Sequence, residues 1–157
     1  MPDASFGAKV YRKQDTEVIA AGGVLEVEPG GIVYGLPLRK RVRATAAQVN
    51  AGLVVLAPVA GRAYTVWAVE ECAIGGAVTG ATSVDVKDTT PVTPATIATI
   101  PAAALTQGQW ASHLAAGATG PLIGQAGAAG QGVAVAKNGA DVATATHVDL
   151  IITYTLA

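Results

Sequence analysis

Apolar and polar positions alternate along most of this chain with a period of two, and almost nowhere with the 3.6-residue period of a helix face. The clearest run closes the chain. In "HVDLIITYTLA" (147–157), Val148, Leu150, Ile152, Tyr154 and Leu156 fall on one side. His147, Asp149, Thr153 and Thr155 fall on the other, with Ile151 the exception. "AYTVWAVEECAI", "AVTGATSVDV" and "TPATIATIP" predict further strands, because Val, Ile and Thr suit a pleated surface. "WASHLAA" reads as a strand or a loop. "VAVAKNGADVATAT" predicts a hairpin, since Asn138-Gly139 can supply the positive φ angles of a tight turn. One short helix is signalled in "RATAAQVNAG": Thr45 can cap its start, Gln48 can close a capping box, and Gly52 suits the left-handed position after its end. It reads as a peg joining two regions.

Near the N-terminus, "GGVLEVEPGGIVYG" (22–35) sets two Gly-Gly pairs eight positions apart, with Leu25 and Val27 alternating with Glu26 and Glu28. A rung of this length has one apolar row and an open edge, so it needs stacking or a second chain. Two readings stand: hairpin strands lying on the body, or an arm that pairs with another protein. The pattern therefore predicts an all-β chain, with a β-rich arm over 1–44, one short linking helix, and a jelly-roll-like β-sandwich body over 45–157.

Composition sharpens this. The chain has 157 residues, 51% of them hydrophobic and only 13% charged, about half the usual share. The net charge of −1 gives no general pull toward nucleic acid or an anionic membrane. Lys9, Arg12, Lys13, Arg39, Lys40, Arg41 and Arg43 crowd the first third, whereas residues 89–136 contain no Asp, Glu, Lys or Arg. Either Thr, Gln, Gly and backbone hydrate that stretch, or it is buried against another chain. The second is expected, since interface cores are depleted in charge. Leu114, Leu122 and Ile123 are its candidate self-association residues. No apolar run reaches membrane-spanning length and no secretory leader is expected, so the protein is read as soluble.

Candidate chemistry is sparse. His113 and His147 are isolated and no metal site is expected. Glu70 and Glu71 are adjacent, so on a strand they face opposite ways and cannot share a proton. Cys72, the one cysteine, reads as a small core residue. "GQAGAAGQG" (124–132) lacks the dinucleotide spacing and precedes a strand, so it reads as a flexible surface loop. No catalytic set can be named and no cofactor is expected. "LRKRVR" (38–43) puts Arg39, Arg41 and Arg43 on one face of a strand, either solvated or facing an acidic protein surface; nucleic acid is the weakest reading, for want of stacking aromatics.

The order "GAKVYRKQ", Gly-Gly rungs over 22–32, "TAAQVN" (45–50) and a long closing strand resembles the head decoration (cement) proteins of tailed bacteriophages. The resemblance implies a non-enzymatic structural protein on the outer surface of the virion capsid. Its partner would be the major capsid protein, bound between capsomers, and it would be a homo-oligomer, most simply a trimer. No nucleic acid and no membrane would be involved. Tyr11, Leu25, Val27, Ile32, Arg39, Arg41 and Arg43 are then the candidate docking residues. The basic 38–43 stretch departs from the more neutral segment expected there. A phage head-fibre or tail-associated protein is the nearest alternative, and a carbohydrate-binding sandwich, with Tyr64, Trp67 and Trp110 as its aromatics, is a further one.

Overall fold

The structure is a computed structural model that describes residues 10–13, 16–19 and 36–157, the first two segments by their backbone. The chain divides into two compact units, Met1–Val33 and Tyr34–Ala157. In the first, β1 (Val10–Lys13) and β2 (Thr16–Ile19) form an antiparallel pair with Val10 opposite Ile19 and Lys13 opposite Thr16. The Gly-Gly rungs, with Leu25, Val27 and Ile32, lie outside the described residues.

The second unit is an eight-stranded sandwich. Its strands are β3 (Leu38–Thr45), β4 (Leu53–Leu56), β5 (Tyr64–Ile74), β6 (Val78–Asp88), β7 (Thr96–Pro101), β8 (Trp110–Ser112), β9 (Val133–Thr144) and β10 (His147–Leu156). They form two four-stranded antiparallel sheets, ordered β3-β10-β5-β8 and β4-β9-β6-β7. Counted within the unit, the first, eighth, third and sixth strands make one sheet and the second, seventh, fourth and fifth the other. That is the jelly-roll order.

Alternation explains why the sheets pack face to face. Val148, Leu150 and Ile152 of β10 are opposite Ala73, Glu71 and Val69 of β5, and all six are buried. On the other sheet, Val84 and Val86 are opposite Ile100 and Ala98, and Val86 is opposite Val135. These five are almost fully enclosed. Each Val, Leu or Ile so enclosed contributes about 1.5–3 kcal/mol, which lets a core with almost no aromatic residues hold the fold.

α1 (Ala46–Ala51) starts as its sequence predicts. Thr45 Oγ1 accepts from Gln48 N at 3.2 Å, and the Thr45 amide donates to Gln48 Oε1 at 2.9 Å, completing the capping box. Gly52 follows at φ +83°. Val49 is buried, and the Asn50 side chain holds the Val142 backbone through both its donor and its acceptor.

Three expectations change. The arm was expected to run to residue 44, but β3 pairs along its whole length with β10, from Leu38–Tyr154 to Thr45–His147. Its Val42 and Ala44 alternate toward the core, so residues 38–45 are the edge strand of the body. α1 consequently joins the two sheets of the sandwich rather than an arm and a body. Finally, 133–144 is one strand and not a hairpin. Gly139 does take φ +83°, but that conformation serves an irregularity where β9 slips against β6 around Thr82.

Candidate functional site

The outward face of the β3-β10-β5-β8 sheet gathers three arginines, two acids and both tryptophans. β3 contributes Arg39, Arg41 and Arg43, which sit opposite Thr153, Ile151 and Asp149 of β10. β5 adds Ala68, Glu70 and Cys72 at the same three levels, and β8 adds Ser112 beside Glu70 and Trp110 beside Cys72. Because register fixes these neighbours, the face is set by backbone pairing and not by any local motif.

Asp149 is its anchor. The side chain is 1% exposed, yet Arg43 grips it side-on, with Nε to Oδ1 at 2.7 Å and Nη2 to Oδ2 at 2.9 Å. Arg41 Nη2 donates to Oδ2 at 2.7 Å. The Arg43 hydrogen bonds, against the opposing effect of burial, hold the Asp149 carboxyl down at about 2, and Asp149 in turn raises Arg43. The Arg41 guanidinium also lies over the Trp110 ring, 5.6 Å from its centroid. One level along, Arg39 Nη2 meets Glu70 Oε2 at 2.8 Å, an exposed pair worth little by itself.

The three arginines thus share a face as their spacing predicts, but on a body strand and already engaged with intramolecular acids. Tyr11 lies in β1, where only the backbone is described. Leu114 is 81% exposed, whereas Leu122 and Ile123 are half-buried and pack against the protein's own core. The three expected self-association residues are therefore not equivalent.

Glu71 opposes Glu70 across the sheet, as adjacent strand residues must. It lies on the core face and is fully buried, with neither carboxylate oxygen hydrogen-bonded. Burial first, and the Asp85 carboxylate second, push its carboxyl well above the usual range. Cys72 is buried and free. Burial and then Asp149 raise its thiol, which disfavours the reactive thiolate. His113 Nδ1 rests against the Val69 backbone, 3.3 Å from its nitrogen.

The glycine-rich loop is tied to its own chain by backbone hydrogen bonds. The amides of Gly124, Gly127 and Gly130 donate to the carbonyls of Val66, Tyr64 and Arg62, so its own chain uses the donors a phosphate would need. A shallow cleft beside it is lined by Tyr64, Val66, Asp88, Ile97 and Leu122. There the Asp88 carboxylate accepts from Thr90 and Ala95, holding the following loop. Among the described residues, no three His, Cys, Asp or Glu side chains group as a metal site, and no helix is long and apolar enough to cross a membrane.

Sequence reasoning missed the Asp149 clamp, the Trp110–Arg41 stack and the Trp67 position. Asp149 does stand on the polar side of the closing strand, but which strand lies beside it cannot be read from local pattern. Comparisons with family models, with curated proteins and with solved structures found no match.

Proposed function

We propose that this chain is a structural virion protein that decorates and stabilises the outer surface of a tailed-phage capsid. Its partner is the major capsid protein, and it acts as a homo-oligomer, most simply a trimer. The reading is carried by the division of the chain at Val33. The second unit is an eight-stranded sandwich whose two sheets use only strands from Leu38 onward, and the Gly-Gly rungs precede it in sequence. This arrangement suits an anchor and a head. The order of sequence motifs supports it, as does the use of the buried Asp149 to hold β3 beside β10 through Arg41 and Arg43.

The engaged state of Arg39, Arg41 and Arg43 shifts the weight of docking to the arm. There the alternation of Leu25 and Val27 with Glu26 and Glu28 suits pairing with the sheet edge of a partner, where main-chain hydrogen bonds bind and alternate side chains select. Linking several such arms in one oligomer raises avidity by about 10²–10⁴ without further contacts.

The test is cosedimentation with purified, protein-only capsids, comparing the whole chain, Leu25→Asp and a chain lacking residues 1–33. The whole chain binds saturably, Leu25→Asp binds weakly with its melting temperature almost unchanged, and the truncated chain stays folded but does not bind. Full-affinity binding by the truncated chain would overturn the anchor assignment.

A further inference from the structure

The chain has two tryptophans, and both lie half-exposed on the outward face of the β3-β10-β5-β8 sheet: Trp67 is 49% and Trp110 45% exposed. Separate observations fix each one. Trp110 is opposite Cys72, on the Asp149 side of the sheet, with Arg41 over its ring. Trp67 is the extra residue where β5 slips against β10, and its Nε1 donates to Thr155 Oγ1 at 3.2 Å. Thr155 follows Asp149, Ile151 and Thr153 on the same side of β10. Trp67 and Cys72 lie five positions apart on β5, so the backbone positions of the two tryptophans stand roughly 15 Å apart along the strand. Arg39, Arg41, Glu70 and Thr153 occupy the ground between them.

We propose that this face binds an extended acidic polysaccharide, a chain carrying uronate residues, with sugar rings stacked on Trp67 and Trp110 and carboxylates held by the arginines. The C–H face of a pyranose ring is apolar and weakly positive, which suits the negative face of an indole. Two indoles at this spacing fit a run of several rings better than one sugar. Sugar hydroxyls need donors and acceptors side by side, and the face offers both: Glu70 with its side chain 40% exposed, the threonine hydroxyls, and guanidinium N–H groups. Among the described residues, Arg39 and Arg41 each use Nη2 on their internal partner, which leaves Nε and Nη1 of both to donate to a ligand carboxylate.

Charge points the same way. Three guanidiniums face two carboxylates, and one of those, Asp149, is enclosed beneath its arginines. The face is thus net positive in a chain of net charge −1. Single-stranded DNA also stacks on aromatics, but its phosphodiester backbone offers no hydroxyl donor to the exposed Glu70 carboxylate. Each uronate ring carries hydroxyls beside its carboxylate, so it can meet both Glu70 and the arginines. The inference stands apart from capsid attachment, because its groups lie on the sandwich and not on the arm.

Intrinsic fluorescence reads this site directly, since the two indoles are the only ones in the chain. The full-length protein is titrated with alginate oligomers, with dextran as the neutral glycan and with oligothymidylate as the nucleic acid. Affinity electrophoresis in alginate then compares the parent with Trp67→Ala, Trp110→Ala and Arg39→Ala. Alginate changes the emission saturably, dextran does so more weakly, and oligothymidylate has no effect. Each tryptophan variant loses at least about tenfold in alginate affinity, and Arg39→Ala weakens alginate while leaving dextran unchanged. If Trp110→Ala proves unstable, Trp67→Ala and Arg39→Ala decide. No response to alginate, alginate binding unchanged in Trp67→Ala and Arg39→Ala, dextran bound as tightly as alginate, or tighter binding of oligothymidylate would each overturn the proposal.

Discussion

Glu71 sits among Val69, Ala73 and Leu150 with no hydrogen-bond partner, so the fold holds it in its neutral form. Its folded carboxyl titrates well above the ordinary 4.5. The stability this confers is complete below pH 4.5 and is lost as pH rises toward the folded value, because the unfolded chain releases the proton first. Asp149 has the opposite sign. Its carboxyl is lowered from 3.8 to about 2, so its contribution is present above 3.8 and is lost as pH falls through about 2. Melting temperature should therefore fall on both sides of a mildly acidic maximum. Glu71→Gln flattens the alkaline limb and leaves the acid limb unchanged. Asp149→Asn flattens the acid limb and costs about 1–2 kcal/mol near neutrality, a figure reduced for the solvent around its arginines. Thermal melts from pH 2 to 9 check both. An alkaline limb that persists in Glu71→Gln would show that another group sets it.

At the scale of elements, β3 and α1 carry the sharpest tests. Thr45→Ala removes the side-chain half of the capping box and should lower stability by about 1 kcal/mol in a chemical denaturation series. Because β3 covers the edge of β10 from His147 to Tyr154, removing residues 1–45 strips that strand and should give an aggregating protein. Removing 1–33 leaves the sandwich intact. Equal melting of the two truncations would contradict the placement of β3. Elements were legible where the signal was local: the Thr45–Gln48 box and the strict alternation of Val148, Leu150 and Ile152 need only neighbours in sequence. Partners were not legible. The 38–45 strand resembled an arm because its three arginines suit a solvated strand as well as one capped by an aspartate more than a hundred residues away. Asn138-Gly139 failed for a related reason: the positive φ that serves a tight turn also serves an irregular step within one long strand. The arginine face was half legible, as an alternation of arginines without the acids and indoles that surround them.

For the molecule as a whole, the uncharged stretch over 89–136 separates two kinds of apolar residue. Leu122 and Ile123 pack on their own core, while Leu114 stands 81% exposed. If the chain self-associates through this stretch, Leu114→Lys should weaken the oligomer by roughly 2 kcal/mol, by placing an unpaired charge in the contact. Sedimentation velocity at micromolar concentration would show it as a shift toward monomer with no change in melting temperature. A parent chain that sediments as a monomer would contradict the oligomer. Stabilisation of a capsid, as proposed, can be read by heating particles. Undecorated, DNA-free capsids of the phage proposed to carry this chain are heated with and without a saturating amount of the protein, with light scattering to follow disruption. Decoration should give bound protein at a fixed ratio to capsid subunits and a higher disruption temperature. Capsids that neither bind the chain nor gain heat resistance would contradict it.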